Sequence, residues 1–457
     1  MSVGSFPADP AFPQLKIATD PALMKQTFRT HLRPVGGKVY DIEACRFIRL
    51  RYRQGSRCFL LYTLRLVEPD TGRERDVQVT GLIYAQKNKA EQTWRKLQAT
   101  DPHQEIPDGW LTFEPVSFVP ELGMLVQVFP YDHRLPALPV LAAGQPPELE
   151  PVLLGRFGPG DWRIGAWNVE PVRYRDQGAV LRYTAKARNA ATGGRREKSF
   201  YVKVYRHEEG EQTYQTLLAL WRRASANGEG FSVVRPLAYL SELRALILEE
   251  APGTPLDQIL LRERDTTGAV RRVAQALAAF NQGDAPATTQ QHLLADQVAV
   301  LERAGRVLGW ACPQMRVEVE SIIEGVSAGL EDVPLRLTHR DLSPDHIFVD
   351  GECTIFIDLD SLAKADPVLD PAHLLVRLAK PAQFSMPRER GRAAAWEFAE
   401  EYFAQVPGAW QERLPFHYAG TLLKAAYGVF RRQAPDWPER IATLLDEAKA
   451  SLAGRVW

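Results

Sequence analysis

Cysteine is scarce in this chain: Cys45, Cys58, Cys312 and Cys353 are its only four in 457 residues, and they stand far apart. That excludes a disulfide framework and the paired spacing of a structural zinc site, and free thiols fit a reducing cytoplasm. No uninterrupted apolar run approaches the ~20 residues of a membrane span. The first residues carry acids and prolines where an export signal would place a basic patch ahead of an apolar core, so neither export nor anchoring is expected. Charge excess is also missing, since 56 basic residues balance 56 acidic ones. The balance gives no sign of nucleic-acid or membrane affinity. Basic stretches such as Arg49-Leu50-Arg51-Tyr52-Arg53 alternate with apolar residues and read as the solvated face of a strand. What remains is ordinary globular composition, 45% hydrophobic and 25% charged, in a chain long enough for two or three domains.

The informative residues are His339-Arg340-Asp341-Leu342-Ser343-Pro344-Asp345-His346 and, twelve positions on, Asp358-Leu359-Asp360. This is the spacing of a kinase catalytic loop, in which an Asp takes the acceptor proton, a residue five places later holds metal, and a second Asp after the next strand holds Mg²⁺. Between them, Ile347-Phe348-Val349 and Thr354-Ile355-Phe356-Ile357 flank Asp350-Gly351, a pattern that predicts one β-hairpin. Such a hairpin brings Asp341 and Asp358 to the same end. Phosphoryl transfer depends on positioning and charge neutralisation, which gathered carboxylates supply. Asp370-Pro371 reads as a helix N-cap followed by Pro at the first helical position.

These residues resemble the aminoglycoside phosphotransferase and choline kinase family, whose loop reads H-G-D-x-x-x-x-N and whose metal strand ends in I-D, followed by G-D-P-x-x-D. The matching residues are His339, Asp341, Asp358, Asp366-Pro367 and Asp370, and the resemblance covers about residues 165–457. Arg340 replaces the usual Gly, and His346 stands where the family has Asn. Mg²⁺ prefers oxygen to an imidazole nitrogen, which weakens the second metal position or softens it towards Mn²⁺. The resemblance implies a protein-kinase-like α+β fold, an antiparallel-sheet N-lobe over a mainly helical C-lobe. It also implies ATP with Mg²⁺ (Mn²⁺ possible) and a small hydroxylated acceptor such as a sugar, aminoglycoside or amino alcohol. Asp341 would be the catalytic base and His339 its brace; Asp358, His346 and Asp360 would hold metal.

Upstream, Leu181, Tyr183, Ala185 and Ala187 alternate with polar residues, the period of a half-buried strand, and Thr192-Gly193-Gly194 supplies a turn. The next strand, Phe200-Tyr201-Val202-Lys203-Val204-Tyr205, carries a lone lysine suited to ATP phosphates. Glu211 is the acid assigned to Lys203, on a helix marked by Tyr214, Leu217, Leu218 and Trp221, with Glu208, Glu209 and Gln215 as alternatives. No G-x-G-x-x-G loop is present. Ala245-Leu246-Ile247-Leu248 leads into Glu249-Glu250-Ala251, where the resemblance implies that backbone at Glu249 and Ala251 meets adenine. Thr254-Pro255-Leu256-Asp257 predicts a helix with Thr254 at the N-cap.

This lobe recurs earlier in the chain at a nearly constant offset of about 120 residues. Arg51-Tyr52-Arg53 pairs with Arg173-Tyr174-Arg175, Ile83-Tyr84 with Val204-Tyr205, Glu91-Gln92-Thr93 with Glu211-Gln212-Thr213, and Leu125 with Leu246. Leu82 falls opposite Lys203, and Val128-Phe129 opposite Glu249-Glu250, so the early copy lacks both anchors. The expected division is therefore a degenerate N-lobe-like cap over 1–150, a kinase N-lobe over 160–252, and a helical C-lobe with the catalytic loop over 253–457. The first dozen residues, with Pro7 and Pro10, read as an extended arm. Helices are expected at 270–280, 293–307, 317–330, 393–403, 417–430 and 438–452. The reading that follows is an ATP-dependent small-molecule kinase without nucleic-acid or membrane partners; the alternative is a pseudokinase or nucleotide-binding scaffold acting through its duplicated lobe.

Overall fold

The computed structural model describes residues 6–100, 106–144, 146–228, 230–379 and 387–455. They fall into two compact units, one of Met1–Gly210, Leu237–Leu248 and Val429–Trp437, the other of Glu211–Pro236, Glu249–Gly428 and Pro438–Trp457.

The first unit holds two antiparallel sheets. Strands β1 (Asp41–Arg53), β2 (Arg57–Val67), β3 (Glu74–Tyr84), β4 (Val116–Val119) and β5 (Met124–Val128) lie in the order β1-β2-β3-β5-β4. Next come β6 (Trp162–Arg175), β7 (Gly178–Asn189), β8 (Arg195–Tyr205), β9 (Phe231–Val233), β10 (Pro236–Leu240) and β11 (Ala245–Glu249). All of these except β9 form a sheet of order β6-β7-β8-β11-β10, the same order as the first. A helix follows the third strand in each case, Lys89–Gln98 after β3 and Glu209–Asn227 after β8. The alternation expected of β7 is observed, with Leu181, Tyr183, Ala185 and Ala187 all buried. Period-2 patterning with turn glycines at Gly72 and Gly193, both at positive φ, is enough to set these hairpins.

The two sheets share one core, in which Leu61, Leu82 and Leu125 of the first cluster with Leu181, Tyr183 and Val202 of the second. Leu149, Leu153 and Phe157, from the stretch between the two sheets, are buried in the same cluster, and the strands that contribute to it lie within one unit. The helix Glu209–Asn227, apart from its first two residues, is grouped with the helical unit. Phe6 and Phe12, from the proline-containing arm, are buried and meet Tyr52 edge-on, while residues 1–5 lie outside the described ones.

Arg51 corrects the reading of its stretch as a solvated strand face. It bonds at 2.9 Å to Asp176, a buried carboxylate that also pairs with Arg134. Arg134 in turn holds Asp132 through two bonds of 2.9 and 2.7 Å, and the Tyr174 hydroxyl donates to Asp132 at 2.7 Å. Removing one partner from such a buried network costs about 3–5 kcal/mol, because the remaining charge is left unpaired.

The second unit is mostly helical. Its helices Thr267–Gln282, Leu294–Ala311, Arg316–Gly329, Arg388–Phe403, Gly408–Arg432 and Trp437–Leu452 overlap the spans that the 3.6-residue periodicity placed, with ends that differ by up to nine residues, although Val429–Trp437 is grouped with the first unit. A four-stranded sheet joins β9 to β12 (Thr254–Pro255), β14 (Ile347–Asp350) and β15 (Cys353–Phe356), while β13 (Arg336–Thr338) pairs with β16 (Ala363–Ala365). Thr254 is not an N-cap. Thr254 and Pro255 pair instead with Val349 and Phe348, and the helix begins at Leu256. Gly253 makes that pairing possible, for it has φ +87° and a Cβ there would stand 2.3 Å from the Val349 carbonyl oxygen.

Candidate active site

The hairpin forms in the expected register, Ile347 opposite Phe356 and Asp350 opposite Cys353, with Gly351 at φ 57° in the turn. Phe356 packs against Phe280 and Phe231, at ring separations of 5.2 and 6.2 Å, which fixes the hairpin on the helix Thr267–Gln282. At its open end the chain leaves β15 through Asp358, which adopts a left-handed conformation at φ 59°. Such a conformation is uncommon for a residue with a Cβ.

The loop that enters the hairpin is clamped from behind. Asp370 is fully buried, and its two carboxylate oxygens accept the backbone N–H groups of His339 and Arg340, each at 2.8 Å. Asn281 Nδ2 donates a third bond at 2.8 Å, and the Tyr402 hydroxyl donates to the side-chain Oδ1 of Asn281 at 3.0 Å. Burial pushes the Asp370 carboxyl upward, while the surrounding donors pull it back. This corrects the reading of Asp370 as a helix N-cap: its helix starts at Leu369, and its carboxylate serves the loop. Arg340, at φ 68°, is held in a left-handed turn by that clamp. Sequence reasoning offered Tyr402 as a stacking or core aromatic and missed Asn281 altogether; the available signal was a carboxamide at helical spacing within the apolar face of Val273, Leu277 and Phe280.

His339 is wholly buried, and its Nε2 donates to the Ile357 carbonyl at 2.8 Å, tying the loop to the end of β15. Its ring lies parallel to that of His346, 5.8 Å away. His346 spans the site. Its Nδ1 lies 2.9 Å from the Asp341 carbonyl oxygen, which can only accept, so Nδ1 carries the proton. Nε2 then aims its lone pair at Asp358 Oδ2, 3.4 Å away, with Asp345 Oδ2 at 3.8 Å. Two ligating atoms at that separation are spaced to share a proton or a metal cation. Burial lowers the His346 pKa against the pull of Asp358, which disfavours the proton.

The donor set of Asp358 and His346 therefore fits a divalent cation. No group of three or more His, Cys, Asp or Glu able to hold a metal occurs among the described residues, so phosphate oxygens and water would complete the shell, as Mg²⁺ allows. Asp360 is exposed on the short turn Leu359–Ser361. Asp341 is exposed at the mouth of the loop.

Lys203 is buried on β8, opposite Val180, two residues before the strand ends at Tyr205. Leu82 occupies the same place on β3, two residues before Tyr84. Glu211 lies in the first turn of its helix, exposed, and makes no ion pair among the described residues. At the segment assigned to adenine, the Glu249 N–H is bonded to the Arg235 carbonyl at 3.0 Å, and Ala251 is half-buried. Glu397 and Glu401 are engaged along a helix face, Glu397 with Arg271 and Glu401 with Gln275 at 2.9 Å.

No curated protein shows significant sequence similarity to the chain. Solved structures that resemble it include the ADP-bound aminoglycoside phosphotransferase APH(2'')-Ib, 13% identical over 67% of this chain and 99% of that one, with a TM-score of 0.44. A choline/ethanolamine kinase family protein from Mesorhizobium loti is 15% identical over 67% of this chain and 95% of that one, at a TM-score of 0.42. An aminoglycoside-3'-phosphotransferase of type VIII is 21% identical over 63% and 98%, at 0.40. Residues 181–412, just over half of the chain, match the model of the phosphotransferase enzyme family. That span runs from β7 through Lys203, the clamped loop and the hairpin to the helix carrying Tyr402, and the chain belongs to this phosphotransferase enzyme family.

Proposed function

We propose that the protein transfers the γ-phosphoryl group of ATP to a hydroxyl of a small molecule. The observation that carries this reading is the position of His346, with the backbone of Asp341 on one side of its ring and the carboxylate of Asp358 on the other. Asp341 orients the acceptor hydroxyl and takes its proton as the phosphorus–oxygen bond forms. Asp358 and His346, with Asp360 two residues after Asp358, would hold the divalent ion. Once bound, that ion neutralises charge on the phosphate oxygens. Lys203 contacts the α- and β-phosphates. Because Glu211 makes no ion pair among the described residues, the lysine is assigned this contact without it. The Glu249 carbonyl and the Ala251 N–H are the backbone groups offered to adenine, since the Glu249 N–H is already used by Arg235. His339 braces the loop through Ile357. The first sheet, with Leu82 in place of the lysine, is proposed to be a degenerate copy that supports the working lobe through the core they share.

The test is ADP release from ATP with Mg²⁺ or Mn²⁺ across a panel of hydroxylated acceptors. Acceptor-dependent release, with a phosphorylated product seen by mass spectrometry, is the expected result. Tight nucleotide binding with no turnover on any acceptor would overturn it.

A further inference from the structure

Beside the catalytic loop, within the helical unit, lies a cavity of about 70 Å³ lined by His292, Gln297, Arg340, His373, Thr421 and Lys424, among others. It has room for several water-sized groups. Its polar lining contains no carboxylate but includes two cations, Arg340 and Lys424. Arg340 is the chain neighbour of Asp341, and Lys424 feels the charges of both.

Lys424 is surrounded by protein yet keeps some accessible surface, as a residue lining an internal cavity does. Its ammonium donates to His373 Nε2 at 3.1 Å and has no other partner among the described residues, although it carries three N–H groups. Arg340 gives one guanidinium bond, at 3.1 Å, to the Ser361 carbonyl. The carboxylates nearby are otherwise engaged or outside the lining. Asp370 is spent on the loop, and Asp366 on Arg413 and His417 at 2.8–2.9 Å, while Asp296 and the exposed Asp341 stand apart from the lining. Burying a cation with no carboxylate bonded to its side chain is costly, and Lys424 shows that cost. Lys424 is pushed down to about 8 by burial and neighbouring arginines against the pull of Asp341, and His292 to about 4 by burial, Arg340 and Lys424.

We propose that this cavity receives an anionic group of the acceptor, a carboxylate or a phosphate, bound by Lys424 and Arg340 while the acceptor's hydroxyl is presented to Asp341. The substrate class is then a hydroxy acid or a phosphorylated polyol, and a cationic amine is disfavoured by like charge. This rests on the reading of Asp341 as the acceptor's base.

The experiment has a binding arm and a turnover arm, both on the full chain. Inorganic phosphate is titrated calorimetrically into the protein and into Lys424→Met and Lys424→Arg. Saturable binding weakened at least tenfold by Met and restored by Arg is expected. ADP release is then compared for glycerate, glycerol 3-phosphate, glycerol and ethanolamine, the first two separating a carboxylate from a phosphate preference. An anionic acceptor is expected to be the best, with KM raised at least tenfold in Lys424→Met and ADP affinity unchanged. Turnover of glycerol or ethanolamine in preference, unaffected by Lys424→Met, would overturn the anion site and leave the kinase reading standing. Lysine-dependent phosphate binding with no turnover of any acceptor would overturn the kinase reading and leave the anion site standing.

Discussion

Asp370 accepts the backbone N–H of Arg340 at 2.8 Å, so a carboxylate buried in one helix sets the conformation of the loop that presents Asp341. The same side chain holds His339 N–H, and Asn281 fixes it from a second helix. Exchange of this carboxylate for a carboxamide keeps the shape but turns one acceptor into a donor facing a donor. Asp370→Asn is expected to destabilise the protein by about 2–3 kcal/mol, from buried groups left unsatisfied. Turnover should fall as the loop loosens. Urea denaturation with parallel ADP-release assays measures both, and unchanged stability would remove the clamp from the account.

Asp341→Asn addresses the chemical step alone. Its side chain is exposed and the loop is held by its neighbours' backbone, so the variant should fold as the parent does. Turnover is expected to fall by ~10²–10⁴ with nucleotide affinity unchanged. Stopped-time product analysis alongside calorimetric nucleotide titration separates the two, and equal turnover would remove Asp341 from the mechanism.

His346→Asn exchanges an imidazole nitrogen beside Asp358 for a carboxamide oxygen. Oxygen suits Mg²⁺ and nitrogen the later divalent metals. The ratio of Mg²⁺- to Mn²⁺-supported turnover is therefore expected to rise in the variant. Mn²⁺ affinity, followed by electron paramagnetic resonance in the presence of ADP, should weaken. A ratio and an affinity both unmoved would place the metal elsewhere.

His292 gives a stability signature in acid. Burial, Arg340, Lys424 and Arg303 lower its pKa to about 4, with Asp296 opposing. The folded state thus resists protonation that the unfolded chain accepts near its ordinary value of about 6.5. The stability this contributes is full above pH 6.5 and is lost as pH falls from 6.5 towards 4, by about 2 kcal/mol. His292→Gln should flatten that part of the curve. Denaturation midpoints at pH 7, 6, 5 and 4 test it, and parallel curves for both proteins would sink it.

By itself the sequence determined whatever depends on neighbours along the chain. Period-2 runs in β7, the Asp350-Gly351 turn and the helix-spaced apolar residues each specify an element through backbone conformation and one buried face. Spacing alone likewise brought Asp341, His346 and Asp358 to one end of the hairpin, because a short hairpin leaves little freedom in where its ends lie. Tertiary structure decided the rest. Asp370 reads locally as a cap, and only its burial opposite two loop N–H groups makes it a clamp. Thr254 likewise gives up a capping role to pair with Val349, a strand nearly a hundred residues away. Neither the pairing of Asn281 with Tyr402 nor that of His373 with Lys424 is signalled locally, since the four residues come from four helices distant in sequence. A polar group taken out of water must find its partner wherever the packed chain has placed one, and that partner is chosen by the fold and not by sequence distance.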